Sequence, residues 1–468
     1  MIIEQIYTGC LAQGAYYIES NGEVAIIDPL REVQDYLDRA TKKNAKIKYI
    51  FETHFHADFV SGHVTLAEKT GGKIVFGPNA KTKFDAHIAK DGEVFKLGNI
   101  TITVLHTPGH TMESTTYLLK DENGKDHAIF TGDTLFLGDV GRPDLAQKSD
   151  VTQDDLAAIL FDSLRNKIMT LADDVVVYPA HGAGSACGKN LSKETIGTLG
   201  EQKATNYALR PDMTKEEFVK EVTDGLLPPP AYFPLNVMLN KEGYQSIDDV
   251  IETGTRALSV KDFELIANET DALILDVRHQ SKFIKGFIPQ SIFIGLGGTF
   301  APWVGALVKD IKQPILLVVP EGKAEETITR LSRVGFDNVL GYLEGGFDAW
   351  KASGKDIDTL TSVSADVLEQ KINEEALVFD VRKPGEYAAE HIENVSSTPL
   401  DFLNDHISEF PTNKDFYVHC AGGYRSVIAS SILKARGFNK VIDVAGGYAA
   451  IRETGIKRTA VTSCSSSK

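Results

Sequence analysis

The second half of this chain repeats itself, and that repeat constrains its fold more tightly than any other feature. Leu273–Arg278 (LILDVR) returns as Leu377–Arg382 (LVFDVR), and Val334–Trp350 (VGFDNVLGYLEGGFDAW) returns as Arg436–Ile451 (RGFNKVIDVAGGYAAI). A period of about a hundred residues is an ordinary domain size, so each copy is expected to fold as a unit. Strand-like and helix-like runs alternate within each copy, which predicts two small parallel-sheet α/β domains, over 257–355 and 360–460.

Residues 1–240 show no such repeat. Short β-rich runs (Val24–Asp28, Lys48–Glu52, Ile100–Leu105, His127–Thr131, Val175–Tyr178) alternate with helical stretches, again α/β in character. The prolines of Leu226–Pro234 (LLPPPAYFP) predict extended backbone that no helix continues. Lys241–Arg256, rich in glycine and polar residues, is read as the boundary region. The terminal SCSSSK is expected to fray.

With 468 residues, 42% hydrophobic and 24% charged, the chain can bury several cores. Its formal net charge of −16 would repel phosphate backbones and anionic lipid, so neither nucleic acid nor a membrane surface is an expected partner. MIIEQIY is no basic leader before an apolar stretch, and no apolar run reaches bilayer-spanning length; a cytoplasmic location is the expectation. Four cysteines, Cys10, Cys187, Cys420 and Cys464, are too few and too scattered for a disulfide framework or a CxxC zinc site. Any that matters acts singly.

The chemistry concentrates at strand ends. THFHADFVSGH (53–63) leaves the strand-like KYIFE; His110 follows ITITVL; Asp133 closes FTGD; His181 follows VVVYP. Ligand-binding residues collect at such ends in α/β folds. A lone histidine of this kind would be read as a satisfied core residue, but four convergent strand ends bearing imidazole and carboxylate have the donors of a transition-metal site.

In this order, THFHAD, HTPGH, TGD and PAHG resemble the metallo-β-lactamase superfamily, which implies an αββα sandwich with a metal at one edge. Dinuclear members carry HxHxDH; here Phe59 occupies the last position and cannot ligate. Among its branches the sequence is most similar to the persulfide dioxygenases, including those fused to rhodaneses. That resemblance implies one Fe(II) per chain held by His54, His110 and Asp133, with His56, Asp58 and His181 orienting ligands and bound water. It also implies contact with the thiol carrier at Arg142 and Tyr178, which would otherwise be read as a surface ion pair and a packed aromatic. Cys187, in PAHGAGSACGK, would ordinarily be a small buried hydrophobe; the resemblance adds a reading in which it stands at the mouth of the metal site as a redox group.

In the second repeat, FYVHCAGGYRS (416–426) places Cys420 after an apolar strand and before a glycine turn, Arg425 and a helix. Inward-pointing amides and a helix N-terminus favour a thiolate and cradle an anion. This segment, with DVRKPGEYAAEHI and VAGGY, resembles the rhodanese sulfurtransferases. The resemblance implies Cys420 as sulfur carrier, Arg425 as anion stabiliser, and Ala421, Gly422, Gly423 and Tyr424 as the substrate cradle. A six-residue loop, Cys420 to Arg425, matches sulfur substrates rather than phosphate. The first repeat retains Asp276, Arg278, Gly345 and Gly346, but VVPEGKAEET holds no cysteine and carries Glu321, Glu325 and Glu326 instead. It is read as an inactive rhodanese-like domain with a spacer or docking role.

The expected activity is oxidation of a low-molecular-weight thiol persulfide by O2 to sulfite and thiol, followed by sulfur transfer through Cys420 to sulfite, giving thiosulfate. A homo-oligomer is compatible with this reading. Two rivals are a glyoxalase II-like thioester hydrolase, which needs two metals, and a sulfur-responsive binding protein with vestigial sites.

Overall fold

In the computed structural model residues 1–145 and 151–459 are described; the terminal SCSSSK lies outside them. The chain divides into two compact units, Met1–Ile247 with Ser332–Gly335, and Asp248–Leu331 with Phe336–Lys468.

The first unit contains two six-stranded sheets. One has the order β1 (Ile2–Thr8), β2 (Gln13–Ser20), β3 (Glu23–Ile27), β4 (Lys46–Glu52), β5 (Lys73–Phe76), β6 (His87–Ile88). The other runs from β7 (Val94–Leu97) through β8 (Ile100–His106), β9 (Thr115–Lys120), β10 (Asp126–Gly132) and β11 (Val176–Pro179) to β12 (Gly197–Thr198). Strand periodicity sorts the side chains into layers. Tyr16 and Ile18 of β2 and Ala25 and Ile27 of β3 meet Ile102, Val104, Tyr117 and Phe130 between the sheets. Their neighbours Ala15, Tyr17, Val24 and Ile26 face outward, onto Val33, Tyr36, Ala40 and Leu66 of the helical layer. On the other side Ile129 and Val177 pack with Ala157 and Leu160 of the helix Gln153–Ser163, with Leu164 just after it, and with Phe218. Both faces of each sheet are therefore buried, giving the αββα sandwich. Each buried aliphatic or aromatic side chain contributes about 1.5–3 kcal/mol by leaving water.

One local expectation needs correction. Pro234 does not exclude a helix: it stands in the first turn of the helix Phe233–Glu242, where the missing N–H costs no hydrogen bond. The boundary region, too, carries a helix, Ile247–Gly254, with Asp248 and Asp249 in its first turn and a glycine at its end.

The second unit holds two five-stranded sheets with all neighbours parallel. Their orders match strand for strand: β13 (Ala257–Leu258), β17 (Val339–Leu343), β16 (Ile315–Val318), β14 (Leu273–Asp276), β15 (Ile292–Phe293), and β18 (Ser362–Val363), β22 (Val441–Val444), β21 (Phe416–His419), β19 (Leu377–Asp380), β20 (Ser396–Ser397). Asp276 and Asp380 each take two guanidinium hydrogen bonds from the arginine two residues on, at 2.6 and 3.0 Å. Arg278 lies over Phe347 and Arg382 over Tyr448. Among the described residues no helix is long and apolar enough to cross a membrane.

Candidate metal centre and sulfur-carrier loop

Four strand or loop ends of the first unit converge. His54, His56 and Asp58 follow β4, His110 lies in the loop between β8 and β9, Asp133 follows β10, and His181 follows β11; all are buried. The His54 and His110 Nε2 atoms lie 3.9 and 3.5 Å from Asp133 Oδ2. His181 Nε2 is 3.6 Å from Asp133 Oδ1 and 3.4 Å from Asp58 Oδ2. These gaps exceed hydrogen-bond length, and both Asp133 oxygens and His181 Nε2 are buried without a partner. A dry carboxylate facing imidazole nitrogens is costly unless a cation stands between them, so the donor set fits a metal ion.

The tautomers agree with this. His110 Nδ1 donates to the Arg142 carbonyl at 2.8 Å, leaving Nε2 as a lone pair. Thr53 Oγ1 spends its proton on Asp28 Oδ2 at 2.8 Å, so at 3.0 Å it accepts from His54 Nδ1 and again leaves Nε2 free. Burial and the nearby imidazoles of His56, His110 and His181 hold His54 well below the usual histidine range, and hence neutral. Two glycines allow the approach: a Cβ on Gly132 would sit 2.5 Å from Thr53 Oγ1, and one on Gly141 1.9 Å from the Asp133 carbonyl oxygen.

His56 is turned away from this cluster. Its Nε2 lies 3.1 Å from Asp28 and 3.3 Å from Glu52; burial alone would lower its pKa, but the two carboxylates outweigh that and push it well above the ordinary value. Phe59, fully buried, packs on the His56 ring at 4.3 Å. Asn240, from the helix beginning at Phe233, donates to the carbonyls of His56 and Phe59 and accepts from Ser61 N–H, bracing the ligand loop.

Cys187 is buried, and its sulfur comes within 4.8 Å of ligand atoms of Asp58 and His181. Burial and the carboxylates of Asp58 and Asp133 push its thiol well up. Arg142 directs its guanidinium to Asp144 (2.6 Å, twice) and to the carbonyls of Ala186 and Leu227. Tyr178 stacks on Phe130 at 5.1 Å.

Sequence reading missed Asp28, Thr53, Glu52 and Asn240. Asp28 carried one signal, an acid closing the apolar run VAII ahead of a proline. Its φ of 50° lies in the left-handed region, yet it accepts from Thr53 N and Oγ1 at 2.8 Å each. Asp28→Asn keeps a residue that tolerates this backbone but loses the charge that holds Thr53 and His56. Metal affinity is expected to fall about 10–100-fold, read by chelator competition on protein with an unaltered melting profile.

In the second repeat Gly423 N–H donates to Cys420 Sγ at 3.1 Å, and Gly423 adopts φ 91° to do so. Arg425 opens the helix Arg425–Ala435 and forms a two-pronged pair with Glu386, at 2.6 and 2.8 Å. The Tyr424 hydroxyl donates to the Gly295 carbonyl of the first repeat at 2.9 Å. Ala421 and Gly422 complete the turn. In the first repeat the sheet register puts Val319 at the place of Cys420 and Ala324 at that of Arg425.

Residues 8–181 match the metallo-beta-lactamase superfamily, and residues 259–353 and 364–454 match the rhodanese-like domain. The mitochondrial persulfide dioxygenase ETHE1 of Homo sapiens is 30% identical over 220 residues, covering 47% of this chain and 78% of the relative. The hydroxyacylglutathione hydrolase GloC of Haemophilus influenzae is 30% identical over 187 residues, covering 35% and 82%. A crystal structure of a metallo-beta-lactamase from Staphylococcus aureus subsp. aureus COL superposes with a TM-score of 0.64 at 29% identity, over 73% of this chain and 98% of that one. The chain therefore belongs to the metallo-beta-lactamase superfamily, as a persulfide-dioxygenase-like member fused to two rhodanese-like domains.

Proposed function

We propose that the first unit is a mononuclear Fe(II) persulfide dioxygenase and that Cys420 transfers sulfur to the sulfite it produces. One observation carries the reading: His54, His110 and Asp133 form a complete three-donor set, while the buried Phe59 stands where a dinuclear site needs a histidine. Two imidazoles and one carboxylate suit Fe(II) with open positions. When bound, that ion supplies coordination for the substrate sulfur and redox chemistry toward O2. The protein's own part is to turn Nε2 of His54 and His110 toward the site in fixed tautomers, balance charge with Asp133, and exclude bulk water. The overall conversion is RSSH + O2 + H2O to RSH and sulfurous acid, which ionises to sulfite.

Sulfane sulfur accepted at Cys420 then passes to sulfite and leaves as thiosulfate, within a cradle formed by Gly423 N–H and the following helix N-terminus. Fusion raises the effective concentration of one site near the other.

The identity to hydroxyacylglutathione hydrolases supports a second reading, a two-metal thioester hydrolase, with Asp58 and His181 available to a second ion. Metal analysis separates the two. Anaerobically purified protein is expected to hold about one iron per chain and to consume O2 only with a persulfide present. Two tightly bound zinc ions with thioester hydrolysis and no oxygen uptake would sink the dioxygenase reading.

A further inference from the structure

The sulfur-carrier loop has a buried extension that nothing above uses. Cys420 Sγ lies 3.5 Å from Ser426 Oγ, Ser426 Oγ 2.6 Å from Asp443 Oδ1, and Ser362 Oγ 2.7 Å from Asp443 Oδ2. Cys420, Ser426 and Asp443 are each 2% exposed or less. The direction of these bonds follows from proton count. A carboxylate only accepts, so Ser426 spends its single proton on Asp443 and offers Cys420 a lone pair. The thiol must then donate, and the array runs one way, from S–H to O–H to carboxylate.

Among the described residues no cation pairs with Asp443, unlike Asp380, which Arg382 neutralises. Burial pushes the Asp443 carboxyl up, and the two serine hydroxyls only partly offset this. The charged and titratable groups around the loop are engaged elsewhere: Arg425 with Glu386, His419 beside Asp380, and Tyr448 under Arg382.

The first repeat serves as an internal control. Register places Ala257, Tyr342, Glu325 and Val319 where the second repeat has Ser362, Asp443, Ser426 and Cys420. The Asp–Arg frame survives in both copies. The array therefore goes with the cysteine and not with the fold.

We propose that Asp443 is a positioning residue that stores the Cys420 proton, delivered through Ser426, during sulfur transfer. The inference rests on the reading of Cys420 as sulfur carrier. The thiol proton moves to Ser426 Oγ as the serine proton moves to Asp443 Oδ1. The Cys420 thiolate attacks the terminal sulfur of a persulfide RSSH; a new S–S bond forms, the old one breaks, and RS⁻ leaves with the electron pair. Sulfite next attacks the outer sulfur of the Cys420 persulfide and departs as hydrogen thiosulfate, whose proton passes through solvent to RS⁻. The released Cys420 thiolate recovers its proton from Asp443 along the same path.

The test is the sign of a rate change. In the full-length iron-loaded protein at pH 7, Asp443→Asn can still accept a hydrogen bond from Ser426 but cannot take its proton. Alkylation of Cys420 by iodoacetamide, followed by peptide mass spectrometry, is expected to slow at least tenfold. If Asp443 were only a fixed anion, its removal would relieve repulsion and speed alkylation; a faster or unchanged rate overturns the proposal. Ser426→Ala, which cuts the path while leaving the acid in the chain, is expected to slow alkylation similarly, and its failure to do so overturns the proposal should Asp443→Asn not fold. Wild-type protein that forms no Cys420 persulfide from a donor persulfide would refute the carrier reading itself, whereas wild-type persulfidation matched by Asp443→Asn would refute only the relay.

Discussion

His110→Ala is expected to empty the metal centre and abolish persulfide-dependent oxygen uptake. The side chain is one of three donors, and its Nδ1 is anchored on the Arg142 carbonyl at 2.8 Å. Its removal leaves two donors for a labile divalent ion and two buried acceptors, the Arg142 carbonyl and Asp133 Oδ2, without their imidazole. Loss of an outer-sphere partner costs metal affinity about 10–100-fold, and a ligand should cost more. Iron content by elemental analysis and an oxygen electrode check this together. Iron retained at the wild-type level would show that another donor, with His181 nearest, holds the ion.

Cys420→Ser should separate the two chemistries. The hydroxyl nearly preserves size and can still accept from Gly423 N–H, but it cannot form a persulfide. Oxygen uptake is expected to persist while the product shifts from thiosulfate to sulfite, with rhodanese turnover below detection. Thiosulfate still made at the wild-type rate, where sulfite and persulfide do not combine spontaneously, would move sulfur transfer to the first unit, with Cys187 the next residue to replace.

The legible strands carried one of two patterns. VAIID and HAIFT are near-continuous apolar runs, ITITVL alternates isoleucine with threonine, and the observed strands begin and end within about two residues of those runs. β1 was not legible: IIEQIYT pairs Glu4 with Gln5 and so breaks the alternation of a half-buried strand, and it lies at a sheet edge, partly exposed throughout. The residue types of the metal site were equally plain, since histidine and aspartate at strand ends carry their chemistry in their names. Their supports were not. Asp28 reaches Thr53 across 25 positions, and Asn240 reaches His56 across 184. Such pairings depend on which strand lies beside which, and a single chain read in order does not display that. Ser426 and Asp443 were overlooked for the same reason: each is an ordinary polar residue until the helix after the Cys420 loop brings Ser426 over β22 and Asp443.

The duplicated Asp–Arg frame bears on how such a chain can lose one of its activities without unfolding. Asp276–Arg278 and Asp380–Arg382 make the same bonds, while the positions that differ between the copies, Val319 against Cys420, Ala324 against Arg425 and Tyr342 against Asp443, lie outside that frame. Architecture and chemistry thus rest on separable sets of residues. A mutational path that erases sulfur transfer from one copy need not cross an unstable intermediate. The reverse path is harder: a cysteine at position 319 alone would supply a thiol with Ala324 in place of the arginine, Glu325 in place of the serine and Tyr342 in place of the aspartate, so function would return only after several coordinated changes.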